Sequence, residues 1–89
     1  MRAVITVIGQ DRVGIIAAIS GVLAHANINI LDITQTIMQE LFTMVMLVDI
    51  ELAILDFEQI RQQLETKGQE LNLSIRIQHE DLFKSMHQV

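Results

Sequence analysis

The sequence predicts an α+β sandwich in which a four-stranded antiparallel sheet carries two helices on one face. Three observations lead there. The apolar residues change period along the chain in the order strand, helix, strand, strand, helix, strand. The 89 residues contain no Pro and show no low-complexity linker, so one small domain covering residues 1–89 is expected. Finally, 51 % of the residues are hydrophobic although there are only three Phe and no Trp or Tyr. That is more apolar surface than so small a monomer readily covers, which points to a buried homo-oligomeric surface.

Residues 3–8, Ala-Val-Ile-Thr-Val-Ile, are β-branched at nearly every position, as in a strand central in its sheet. Gly9 is expected to end it. From Gly14 to about Ala26, Ile15, Ile19, Val22, Leu23 and Ala26 follow helical spacing, while Ile16, Ala17, Ala18 and Ala24 leave little polar surface. This helix therefore needs cover on two sides. Asn27-Ile-Asn-Ile opens a second strand expected to be half-buried, with Leu31, Ile33 and Ile37 on one face and Asp32, Thr34 and Thr36 on the other. Gln39-Glu40 interrupts the pattern as a hairpin turn without the usual Asn-Gly or Asp-Gly, and Phe42 to Ile50 resumes it with both faces largely apolar.

Asp56 and Gln59 have capping-box spacing before a second helix, whose stripe is Phe57, Ile60 and Leu64 and whose outer face is charged. Gly68 fits the position just past a helix end, and a last strand runs from about Leu73 to Ile77. Residues 80–87 add a short helical turn with Leu82, Phe83 and Met86 on its sticky side. Right-handed split crossovers convert this order into a ferredoxin-like βαββαβ sandwich with strand order 4-1-3-2.

Composition excludes several function classes. Without Cys there is no disulfide, thiolate ligand or thiol nucleophile. The net charge is −5 and the six basic residues are scattered, which argues against direct nucleic-acid binding. No apolar run approaches the ~20 residues of a membrane span, and no secretory leader opens the chain, so a cytoplasmic protein is expected. His25, His79 and His87 lie on different elements without the partners of a metal site. No set of residues suggests catalysis; the acidic pairs Asp49/Glu51 and Glu80/Asp81 read as solvated surface.

The turn before the first helix is the one stretch with binding chemistry. Gly9 and Gly14 have P-loop spacing, but Ile15 and Ile16 stand where Lys and Ser or Thr must be, so nothing reaches a γ-phosphate or magnesium. There remains a Gly-permitted turn into a helix whose first N–H groups, around Val13 to Ile16, suit one carboxylate. Asp11 offers an acceptor for an ammonium, and the Asn29 amide both donates and accepts. From spacing alone, Asp11 and Asn29 read first as residues favoured in turns and at strand starts.

The stretch GQDRVGIIAAISGVLAHANINILDI resembles the signature of the ACT domain, and the element order of nearly the whole chain agrees. It is similar to stand-alone single-ACT proteins of prokaryotes and to the ACT segments of glycine-cleavage repressors and formyltetrahydrofolate deformylase. The resemblance implies a regulatory module that binds an amino acid or related metabolite between paired domains, without a cofactor, and acts on a separate protein partner. It places ligand contacts at Asp11, Arg12, Val13, Gly14 and Asn29. Val13 replaces the family's usual Pro, and Gly9 stands where some amino-acid-sensing members carry a side chain such as His. The alternative is a ligand-free dimerisation or protein-interaction module.

Overall fold

The computed structural model describes residues 1–86. Its elements are β1 (Arg2–Gln10), α1 (Ile15–His25), β2 (Asn29–Met38), β3 (Leu41–Asp49), α2 (Phe57–Leu71), β4 (Leu73–His79) and α3 (Glu80–Met86). The strands form one antiparallel sheet in the order β2-β3-β1-β4, the expected 4-1-3-2 read from the other edge. One sheet face, built from Ala3, Ile5 and Val7, Phe42 to Val48 in alternation, and Leu73, Ile75 and Ile77, packs against Ile15, Ile19 and Leu23 of α1 and Ile60 and Leu64 of α2. Alternation thus builds the core, since every second residue of three strands and every third or fourth of two helices meet in one layer.

The Asp56 cap forms as spaced: its carboxylate accepts the Gln59 N–H at 2.8 Å, and the Gln59 side chain accepts the Asp56 N–H at 3.0 Å. The β2–β3 turn is a two-residue one in which Gln39 and Glu40 both have positive φ, 47° and 73°. Strand twist favours that turn geometry even where the residues do not.

Four expectations need correction. Gly9 does not end β1, which continues to Gln10; a Cβ at Gly9 would lie 2.4 Å from Leu73 Cδ2 and 3.2 Å from the Asn72 carbonyl, so the glycine serves close approach within the strand. Gly68 is likewise interior. Helix α2 runs to Leu71 and ends at Asn72 in the left-handed region, while a Cβ at Gly68 would sit 2.7 Å from the Leu73 carbonyl. The expected alternation is interrupted at Leu31, because a bulge between Ile30 and Asp32 leaves Leu31 without a β3 partner and puts Ile30, opposite Val48, on the face of Ile33 and Ile37. Nor is β2 half-buried: every residue from Leu31 to Met38 is exposed, on a strand at the sheet edge with a neighbour on one side alone.

The C-terminal helical turn forms as α3, and its expected last residue, His87, lies outside the described residues. It contacts β1 and β4 from the face opposite α1 and α2. Val4, on that otherwise open face, is buried there.

Candidate functional site

Residues 11–14 link the end of β1 to α1. The Asp11 N–H donates to the Glu40 carbonyl at 2.7 Å, which pins this turn to the β2–β3 hairpin. Gly14 has φ 93° and ψ 2°, a conformation open to glycine and strained for any other residue. The Gly14 carbonyl accepts the Ala18 N–H, the first intrahelical bond of α1, and no side chain caps the helix. The helix therefore begins with unpartnered N–H groups, and no acidic residue in its first turn competes for them. An oxyanion is the natural complement of that arrangement.

Asp11, Arg12, Val13 and Gly14 are all exposed, Val13 completely. Gln10, Asp11 and Arg12 line a shallow depression with Leu71, the last residue of α2, and Asn72 before β4. Arg12 has no ion-pair partner among the described residues.

Asn29 does not join this group within one subunit. It pairs with Asp49, which pairs with Arg2, so Asn29 lies at the end of the sheet where β1 starts. The eight steps along the nine residues of β1, at ~3.3 Å each, separate the two ends by roughly 26 Å. Asn29 instead lines a cavity of about 330 Å³ with Ala24, Asn27, Ile28, Asp49 and Leu52. Asn27, with φ 60°, shapes its rim by donating from its amide to the Leu52 carbonyl at 2.9 Å.

Asp49 was legible only as one of two alternating acids, yet it is the charged group of this cavity. The Glu51 N–H donates to its carboxylate at 3.0 Å and the N-terminal ammonium lies 3.5 Å away. The Glu51 hydrogen bond chiefly, then the ammonium and Arg2, hold the Asp49 carboxyl below its ordinary range.

The two described histidines have structural occupations. His25 Nδ1 donates to the Gly21 carbonyl at 2.7 Å, and the His79 ring stacks on Phe57 with centroids 4.2 Å apart. Among the described residues, no three His, Asp or Glu converge as metal ligands, and no helix is long and apolar enough to cross a membrane.

A βαββαβ sheet with a glycine-bent, uncapped first helix is the frame of a small-molecule regulatory domain, and this chain belongs to the ACT domain family, whose model matches residues 2–78. It is 54 % identical over 89 residues to a UPF0237 protein of Clostridium acetobutylicum, covering 100 % of both chains. An ACT domain protein from Streptococcus pneumoniae superposes with a TM-score of 0.81 at 43 % identity, over 94 % of each chain. A protein assigned as a glycine cleavage system transcriptional repressor superposes at 0.74 with 27 % identity, over 86 % of this chain and 44 % of that one.

Proposed function

We propose that this ACT domain is a cytoplasmic, non-catalytic sensor that binds an amino acid or related metabolite at a homodimer interface and acts on a separate protein. One observation carries the reading. Asp11–Gly14 and Asn29 occupy opposite ends of the sheet, and β2, the strand that begins at Asn29, is an edge exposed from Leu31 to Met38. Antiparallel pairing of β2 with β2 of a second copy brings Asn29 of one subunit to the end that holds the other subunit's Asp11–Gly14 turn. The two halves of the site then complete each other across the two-fold axis.

The ligand carboxylate would take the first N–H groups of α1, and its ammonium would take Asp11 or the Asn29 amide. Arg12 and Val13 flank the entrance, and Gly14 sets the backbone path. Switching requires that the ligand bind one arrangement of the pair more tightly than another, because differential affinity is its only source of work on the protein. The repressor among the structural relatives supports a regulatory role.

A ligand-free interaction module is the second reading. It is favoured by the apolar residues on the sheet face away from α1 and α2, where Ile8 and Leu41 are exposed and Val45 and Leu47 half-buried. A thermal-shift screen against the common amino acids and folate-pathway metabolites separates the two. A dose-dependent rise with one compound, abolished by Asp11→Ala and by Asn29→Ala in a protein that stays dimeric, is the result expected. No shift with any compound, in a dimer that Ala18→Glu on α1 dissociates, selects the interaction module.

A further inference from the structure

Four of the six basic residues of this acidic chain are paired with carboxylates. Arg2 pairs with Glu80, Arg61 with Glu58 and Glu65, Lys67 with Glu70, and Lys84 with Glu80. Arg76, like Arg12, has no carboxylate partner among the described residues, and it does not simply point into bulk water. It stands on the sheet face opposite α1 and α2, directly across from Thr6, on the floor of a cavity of about 290 Å³. Thr6, Ile8 and Ser74 complete the floor, and Gln78, Phe83 and Met86 bound it.

Helix α3 walls one side of this cavity and is fastened at both ends. Arg2 donates from Nε and Nη2 to the two Glu80 oxygens at 3.0 and 2.8 Å, and the Gln78 amide donates to Met86 Sδ at 3.1 Å. Under the helix Val4 is buried, whereas Ile8, farther along the same strand, is 44 % exposed. The space between is therefore bounded by a held helix on one side and left open along β1.

The lining has a definite chemistry. One guanidinium and two hydroxyls are donors matched to a carboxylate, and a guanidinium can grip both of its oxygens. Ile8, Phe83 and Met86 supply an apolar wall for a hydrocarbon body. Among the described residues no Asp or Glu lines the cavity, so an α-amino acid would find no carboxylate side chain there for its ammonium. The volume lies just below the roughly 300–1,000 Å³ of small-molecule pockets, which limits the ligand to one ring or a short chain.

We propose that this cavity between α3 and the β1/β4 half of the sheet is a second ligand site, for a small amphipathic monocarboxylate lacking an amine, held through Arg76. It is independent of the amino-acid site, lying on the other sheet face and away from β2.

The test is a titration of the full chain with sodium octanoate followed by amide NMR, with 1-octanol as the uncharged control. Saturable shifts confined to Thr6, Ile8, Ser74, Arg76 and α3 are expected, with octanol and the Arg76→Gln variant each binding roughly ten-fold or more weakly. Arg76 is exposed, so the variant should keep the wild-type fold, and its own spectrum verifies this. Equal affinity for octanol, unchanged binding by Arg76→Gln, or shifts spread over β2 and α1 instead would each overturn the proposal. The octanol comparison needs no variant and decides the matter even if Arg76→Gln does not fold.

Discussion

Two glycines of this chain look alike in sequence and act through different physics. Gly14 has nothing within 4 Å of where a Cβ would stand, but its φ of 93° strains any L side chain. Gly68 has ordinary helical geometry, but the Leu73 carbonyl would meet its Cβ at 2.7 Å. Gly14→Ala is expected to cost about 1–2 kcal/mol through the backbone. For Gly68→Ala, the gain in helix propensity of about 1 kcal/mol opposes an overpacking cost of about 1–3 kcal/mol, because the helix must shift away from β4. Urea denaturation midpoints check both, and amide shifts should spread into β4 only for Gly68→Ala. The same contrast explains a misreading. A glycine near a helix end usually takes the left-handed position after it, and only the crossing of β4 reveals that Asn72, not Gly68, does so here.

Helix α2 shows how an element's surface responds to pH. Arg61 bridges Glu58 and Glu65, one turn away on either side. The hydrogen bond from the Arg61 guanidinium lowers the Glu58 carboxyl below its ordinary 4.5. A group lowered in the folded state contributes stability above its unfolded pKa and loses it as pH falls through the folded value. The difference in melting temperature between wild type and Arg61→Gln should therefore be steady above the ordinary glutamate range and shrink as the pH falls through it and on through the lowered Glu58 value. A difference that grows on acidification would contradict the geometry. At this same scale, periodicity made the strands and helices legible: core positions of β1, β3, α1 and α2 alternate or recur as elementary geometry requires. What local pattern cannot contain is the partner of each face. The Leu31 bulge, the bareness of β2 and the placement of α3 depend on residues far away in sequence. Asn29 was legible as a polar strand start, but its separation from Asp11 follows only from the register that sets Asn29 beside Asp49, itself opposite Arg2.

As a whole, the molecule is a slab measuring 35 × 35 × 19 Å. A sheet with one main helical layer has little interior for its surface, which is why so apolar a composition leaves Ile16, Ile33, Ile37 and Leu41 outside. If β2 is the seam of a pair, Ile33→Lys should yield a folded monomer by sedimentation velocity and lose ligand response together with dimerisation. An unchanged dimer would move the seam to the opposite sheet face.

The two bare margins of the sheet also bear on how many copies assemble. β2 against β2 is a self-complementary contact that is used up once two chains have met. β2 against β4 would leave a fresh margin at each end and grow into a filament. β4 is shorter, seven residues against ten, and carries Arg76 at its middle, features that discourage another strand from docking. The inequality of its two margins thus favours a closed pair over a growing fibre.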